Sequence, residues 1–103
     1  MAVIYRRPGQ PDESGNLKIS FLYMAGCAIQ NCLDEAADDS FVICVRFAAS
    51  EAGHEEVIQC SSHATEKEAL EWQRRLKPPK GLQVVEYLYG AKTDVAEALA
   101  WPA

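Results

Sequence analysis

The stretch of sequence that decides the fold is residues 62–89, SHATEKEALEWQRRLKPPKGLQVVEYLY. Thr65 followed by Glu68 forms a capping box, in which each side chain can satisfy a free backbone amide of a first helical turn. Acidic residues in that turn and basic residues near the end of the segment both favour the helix dipole. Between these ends, apolar residues recur at helical spacing: Ala69, Trp72 and Leu76. The stretch therefore predicts an amphipathic helix with one face on a core.

Pro78 and Pro79 cannot continue this helix, because proline lacks an amide hydrogen and its ring clashes with the preceding turn. After Gly81, residues 82–89 read LQVVEYLY and are rich in the β-branched and aromatic residues that suit a sheet. We therefore predict a strand directly after the helix.

Length and composition indicate a single domain over residues 1–103, because 103 residues with 49% hydrophobic content can bury one modest core. A net charge of -5 and a pI near 4.9 disfavour direct binding of nucleic acid, since phosphate contacts need clustered Lys and Arg. No window holds the roughly 18 apolar residues of a membrane span, and the start, MAVIYRR, lacks the features of a signal peptide. We expect a cytoplasmic protein whose cysteines are free thiols.

The first third of the chain supports two interpretations. Residues 2–6 predict a short strand, and residues 8–16, PGQPDESGN, predict an exposed loop. In residues 17–24 apolar side chains alternate as in a strand, which would pair with the first strand as a hairpin. The segment also fits the start of a helix, whose apolar stripe would comprise Leu22, Ala25, Ile29, Leu33 and Ala36. We favour a strand to about Met24 and a helix over residues 25–37, because Gly26 destabilises a helix interior and Ile, Phe and Tyr prefer strands.

Residues 40–48, SFVICVRFA, and residues 56–62, EVIQCSS, predict a β-hairpin around Ala52-Gly53. The face of the first strand that we assign to the core carries Phe41, Ile43, Val45 and Phe47, and the other face carries Val42, Cys44 and Arg46. The predicted register places Phe47 opposite Ile58 and Val45 opposite Cys60, so that apolar residues face each other. We reject the register one residue tighter, which opposes Cys44 to Cys60, because it turns Ile58 away from the core.

The order of elements predicts an α+β fold. Residues 94–101, DVAEALAW, predict a final short helix capped by Thr93 or Asp94. We expect a two-layer sandwich, with a mainly antiparallel sheet of four or five strands and the helices on one face. If the first helix begins early, residues 1–89 follow the βαββαβ order of the ferredoxin-like plait, and otherwise a close variant of it.

Motifs of known enzyme classes are missing: there is no Walker loop, GxGxxG, HExxH or GxSxG. Cys60 lies just before a helix N-terminus, which stabilises a thiolate, and with His63 it is the best candidate for a thiol-dependent enzyme or ligand-binding module. There is no CxxC, and the predicted register places Cys44 and Cys60 on opposite faces. We therefore prefer structural thiols and predict no metal site and no cofactor.

The last strand carries Val85, Tyr87 and Tyr89 on one face. An open aromatic sheet can bind RNA, but this one lacks basic surroundings. If the face is uncovered, Val42 and Val57 would extend it into an apolar patch for a protein partner or for a homodimer.

The charge pattern is the most specific signal for function. Residues 34–71 hold ten acidic and two basic residues, a net charge of -8, whereas residues 1–33 carry +1 and residues 72–103 carry +2. The first helix ends where the hairpin begins, and the second helix starts where the hairpin ends, so both helix termini lie at one end of the sheet. Six carboxylates are expected there: Asp34, Glu35, Asp38, Asp39, Glu66 and Glu68. Four of them crowd a helix C-terminus, where negative charge opposes the dipole, and a feature that costs stability indicates function.

We therefore expect a small acidic, non-enzymatic binding protein. Its six carboxylates would bind a basic protein surface and cover the nucleic-acid-binding surface of a partner, without direct contact with nucleic acid or membrane. Inhibitor and immunity-type proteins of phages and mobile elements have this size and charge, an analogy at the level of the class. The alternative function is the enzyme or ligand-binding module built on Cys60 and His63.

Overall fold

Strand β3, Phe41–Ala48, lies inside the sheet and is buried from Val42 onward. The computed structural model describes residues 3–8, 13–14, 19–49 and 56–100. The other elements, in chain order, are β1 (Ile4–Arg6), β2 (Glu13–Ser14), α1 (Ile19–Glu35), β4 (Glu56–His63), α2 (Glu66–Arg75), β5 (Gln83–Ala91) and α3 (Lys92–Ala100).

The five strands form one sheet in the order β2-β1-β5-β3-β4, and every neighbouring pair is antiparallel. β4 occupies one edge of this sheet. The predicted α+β class with an antiparallel sheet is thus confirmed. The ferredoxin-like plait is not, because the four longer strands follow the unusual order β1-β5-β3-β4. The two central positions belong to β5 and β3, whose runs of apolar residues suit burial on both faces, and not to the three-residue β1.

Helices cover both faces of the sheet, so the predicted two-layer arrangement with all helices on one face is wrong. On one face, α1 and α3 pack against Val42, Cys44 and Leu88. On the other face, α2 packs through Ala69 against a second core, whose sheet residues are Ile43, Val45, Phe47 and Tyr89. The physical reason lies in β3: both of its alternating sets of side chains are apolar enough to need cover, and the sequence reading assigned a core to one set alone.

The register of the β3-β4 hairpin also differs from the predicted one. Phe47 lies opposite Val57, Val45 opposite Gln59 and Cys44 opposite Cys60, which is the tighter register that the sequence reading rejected. Ile58 does turn away from Phe47, but it packs into the core under α1 instead of facing solvent. The predicted turn at Ala52-Gly53 lies outside the described residues.

Helix α1 includes residues 19–24 of the segment that we predicted as a strand to Met24, and residues 17–18 lie outside the described residues. Phe21 and Tyr23, which would share the core face of a strand, separate on the helix: Phe21 is buried and Tyr23 is 90% exposed. The helical stripe that was the alternative reading is the buried one, from Leu22 to Ala36. Gly26 lies inside this helix, and a Cβ added there would meet Leu99 Cδ1 of α3 at 3.8 Å, an ordinary contact. β1 accordingly pairs with β2 and β5, and no hairpin strand spans residues 19–24.

Helix α2 confirms the prediction made from its caps. The Thr65 hydroxyl oxygen accepts a hydrogen bond from the Glu68 amide at 3.1 Å, and the helix ends before Leu76. Gly81 has φ +84°, which glycine adopts without strain, and β5 follows. α3 starts at Lys92, earlier than the predicted cap at Thr93 or Asp94, and it is anchored by the buried Val95 and Ala98.

Candidate functional site

The six predicted carboxylates lie at one end of the sheet, which we call the acidic end. β3, β4 and β5 all reach this end, where Phe41 pairs with both His63 and Ala91. α1 terminates at Glu35 just before β3, and α2 starts at Glu66 just after β4. Because α1 and α2 cover opposite faces, the six fall into two groups: Asp34, Glu35, Asp38 and Asp39 beside α1, and Glu66 and Glu68 on α2.

All six carboxylates are exposed, and within the described part of the chain one of them has an ion pair. Lys92 Nζ lies 3.4 Å from Asp38 Oδ1 and donates a hydrogen bond of 2.6 Å to the carbonyl oxygen of Ala36. Gln30 Nε2 donates to Asp34 Oδ1 at 2.9 Å. Lys92 thus supplies the positive charge that the C-terminus of α1 favours. The carboxylates there are therefore less unfavourable to the helix dipole than the sequence suggested.

Sequence reasoning missed Lys92 because the residue is 54 positions from Asp38. The position of Lys92 could be found only from the order of the strands in the sheet. β5 ends beside the start of β3, where the Lys92 amide donates a hydrogen bond to the Ser40 carbonyl oxygen at 2.9 Å. A lysine directly after that strand must lie near the end of α1.

The α2 group borders a shallow groove of about 340 Å³, lined by His63, Glu68, Glu71, Trp72 and Arg75. The His63 and Trp72 rings lie 5.6 Å apart, centre to centre. His63 Nε2 is buried and has no hydrogen-bond partner among the described residues. The groove therefore mixes both charges and does not extend the acidic end as a purely negative surface.

Two thiols meet under α1, and a third, on α1 itself, packs against the same core. Cys44 and Cys60 lie directly opposite each other on β3 and β4, and Cys60 Sγ contacts Cys44 Sγ at 2.8 Å. Both pack into the core under α1, which corrects the prediction that they occupy opposite faces of the hairpin. Cys32 of α1 packs against the same core and lines, with Cys60, a groove of about 450 Å³ between α1 and β4.

The environment of Cys32 and of Cys44 disfavours ionisation of these two thiols. Burial raises the pKa of Cys32 to about 11, and negative charge on Cys60 and Glu35 adds to that shift. The pKa of Cys44 is raised by its hydrogen bond with Cys60, and next by burial. Cys60 and His63 do not meet: Cys60 packs under α1, whereas the His63 ring lies beside the Trp72 ring of α2, on the other face of the sheet.

A buried ion pair that the sequence did not reveal lies on the α1 face, toward the other end of the sheet. Arg46 Nε donates to Glu86 Oε2 at 2.5 Å, and the Tyr5 hydroxyl donates to Glu86 Oε1. Arg46 and Glu86 are 5% and 4% exposed. Arg46 Nη1 reaches outward to Glu56 Oε2 at 3.2 Å. This cluster joins β1, β5, β3 and β4 and leaves few of its polar atoms to a ligand.

The predicted apolar patch for a homodimer does not form an open face. Val42, Val85 and Tyr89 are buried, and Val57 and Tyr87 are half-buried in the core under α2. The Tyr87 and Tyr89 rings stack at 6.2 Å on that covered side. The aromatic surface that could bind a flat base or a second copy is therefore part of a core.

Comparison of the chain with protein-family models, with curated proteins and with solved structures gave no match. Over the described ranges, none of the helices combines the length and apolar character that a membrane crossing needs. In the same ranges, no three side chains of His, Cys, Asp or Glu are grouped so that they could hold a metal ion.

Proposed function

We propose that the protein is a non-enzymatic binding protein that uses its acidic end to bind a basic protein surface. The observation that carries this proposal is the exposure of all six carboxylates at the end of one sheet. We further propose that the partner surface is one that binds nucleic acid, so that the protein acts as an inhibitor or immunity-type protein.

The scaffold behind the acidic end supports this role. Asp34, Glu35, Glu66 and Glu68 lie at the ends of two helices that pack on opposite faces of one sheet, and Asp38 and Asp39 lie in the short connection between α1 and β3. The packed cores therefore fix the separation of the two groups. A preorganised array of charge lowers the ordering cost of binding and accelerates encounter with a surface of opposite sign. Basic residues on the partner would replace water around each carboxylate, as they do around the phosphates of a nucleic acid.

The small number of ion pairs that the α1 carboxylates form also supports a role in binding over a purely structural one. Lys92 compensates Asp38 and the end of α1, while Asp34, Glu35 and Asp39 have no ion pair within the described residues. Removing the charge of those three should therefore cost the fold little. The alternative thiol-imidazole enzyme has weaker support, because the sheet separates Cys60 from His63.

The first test neutralises the α1 group with Asp34→Asn, Glu35→Gln, Asp38→Asn and Asp39→Asn. A pull-down from the native host at low and high salt captures the partner, and association rates are then measured against that protein. We expect association at low salt to slow by about tenfold or more and to lose most of its salt dependence, because steering acts on the rate of encounter. The free energy of unfolding should change by less than about 1 kcal/mol, since exposed charges contribute little.

A matched control separates the location of the charge from its amount. Adding Arg74→Gln, Arg75→Gln, Lys77→Gln and Lys80→Gln to the neutralised variant restores the native net charge of -5 by removing four exposed bases. We expect this second variant to bind as poorly as the first. If it regains fast association, net charge alone governs binding and the acidic end is a solvated surface.

A further inference from the structure

We propose that Cys44 and Cys60 form a redox-active dithiol, which a low-molecular-weight disulfide such as oxidised glutathione converts to a disulfide through the groove between α1 and β4. The groove borders the acidic end through Glu35, but the proposed reaction of the thiols does not depend on the proposed binding function.

The backbone already has the geometry that such a bond requires. Cys44 and Cys60 are directly paired residues on adjacent antiparallel strands. Residues in that relation have Cα atoms about 4.5 to 5.5 Å apart, within the range of about 4.4 to 6.8 Å that disulfides span. The sulfur atoms are in contact at 2.8 Å, so forming the bond needs no movement of one strand past the other.

Access to the pair is one-sided, which sets the order of events. Cys60 is half-buried and lines the groove of about 450 Å³, whereas Cys44 is fully buried beneath it. A disulfide reagent in the groove therefore meets Cys60, which lines it, and not Cys44, which does not. The other lining residues are mostly polar or small, which suits a hydrophilic reagent: Ala28, Asn31, Cys32, Glu35, Ser61 and Ser62.

The reaction takes two exchange steps. The Cys60 thiolate attacks one sulfur of the reagent, forms a mixed disulfide and releases one thiolate of the reagent. The Cys44 thiol then loses its proton and attacks the Cys60 sulfur, which forms the Cys44–Cys60 bond and releases the second reagent thiolate. The two protein thiols lose two electrons and two protons, and the reagent disulfide gains both as two thiols.

The first step removes part of what opposes ionisation of the Cys44 thiol, although the burial of Cys44 remains. Its hydrogen bond with Cys60 and the negative charge of Cys60 both raise the pKa of the Cys44 thiol. A mixed disulfide on Cys60 carries no ionisable proton and no negative charge on sulfur, so both contributions disappear and Cys44 ionises more easily. Burial also raises the pKa of Cys32, to about 11, so the choice of partner rests on position: the Cys44 sulfur is already in contact with the Cys60 sulfur at 2.8 Å.

The test uses the full chain with Cys27→Ser and Cys32→Ser, which leaves the proposed pair as the remaining thiols. The reduced protein is incubated with oxidised glutathione and followed by intact mass and thiol titration. We expect a transient glutathione adduct and then a monomer two hydrogens lighter, with both thiols lost and a higher melting temperature that reduction reverses. Retention of both thiols, a stable adduct or a disulfide-linked dimer as the final product would overturn the proposal.

Two further measurements keep the result specific. Cys44→Ala, added to that variant, should stop the reaction at the adduct on Cys60, whereas Cys60→Ala should leave Cys44 unmodified in protein whose circular dichroism shows it folded. In the native chain, cleavage after acidic residues separates Cys32 from Cys44, because Asp34, Glu35, Asp38 and Asp39 lie between them. A peptide map that links Cys60 to Cys32 instead of Cys44 would contradict the proposed pair.

Discussion

Replacing Glu86 by Gln tests the buried ion pair that joins the strands. The carboxylate is 4% exposed and accepts hydrogen bonds from the Tyr5 hydroxyl and from Arg46 Nε, so the amide leaves the guanidinium buried without its main counter-charge. Breaking a buried pair in this way costs about 3 to 5 kcal/mol. Arg46 keeps Glu56 at 3.2 Å, whose side chain is 31% exposed, so we expect the lower value, about 3 kcal/mol.

The assay is urea unfolding followed by tryptophan fluorescence, with the free energy obtained by linear extrapolation. A loss of about 3 kcal/mol lowers the melting temperature of a domain of this size by more than about 10 °C. Glu56→Gln is the matched control, and its partly exposed pair should cost under about 1 kcal/mol.

The combination Tyr5→Phe, Arg46→Met and Glu86→Leu replaces the three buried polar side chains together and should cost less than Glu86→Gln alone, because the carboxylate that it leaves without Arg46, that of Glu56, is partly exposed. A Glu86→Gln protein as stable as the Glu56→Gln protein would refute the reasoning. A triple variant that is less stable than the Glu86→Gln protein would refute it as well.

Two further predictions concern the helices, and urea unfolding tests both. Leu76→Ala should cost about 1 to 2 kcal/mol, because Leu76 is half-buried against the core under α2. Arg75→Ala, at an exposed position, should cost under about 1 kcal/mol. Equal losses would mean that α2 packs by another face. Gly26→Ala should stabilise the protein by about 0.5 to 1 kcal/mol, since alanine favours the helix and its Cβ would meet Leu99 at 3.8 Å; a destabilised variant would show that α1 and α3 pack more closely than described.

Helix α2 could be predicted because every local signal agrees there. The Thr65 cap, the charges at both ends, the apolar stripe and the following prolines all specify the same helix, and none depends on a distant residue. The location of the six carboxylates at one end of the sheet followed as well, since that inference needed only the order of helices and hairpin.

Helix α1 could not be predicted from local preference, because its first turns carry residues that favour strands and Gly26 interrupts it. Those preferences amount to less than about 1 kcal/mol each. Burial of Leu22, Ala25 and Ile29 under the sheet outweighs them, since each fully buried large apolar side chain contributes about 1.5 to 3 kcal/mol.

The prediction of the hairpin register was wrong for a different reason. A one-residue shift can be judged from the sequence only where one face of the sheet is polar. β3 is buried on both faces, so either register keeps apolar residues inside, and Ile58 finds a core in the observed one. The thiol pair and the ion pair were missed with it, because Cys44 meets Cys60 only in that register and Arg46 meets Glu86 across 40 residues of chain.

The central position of β5 dictates when the molecule can fold during synthesis. β5 lies between β1 and β3, yet among the strands that the structure describes it comes last in the chain. Before residue 91 has emerged, β3 and β4 can pair with each other. β1 cannot join them without β5, and both cores lack the residues that β5 contributes. The nascent chain therefore holds its apolar faces exposed until β5 has left the ribosome, and both cores then form together.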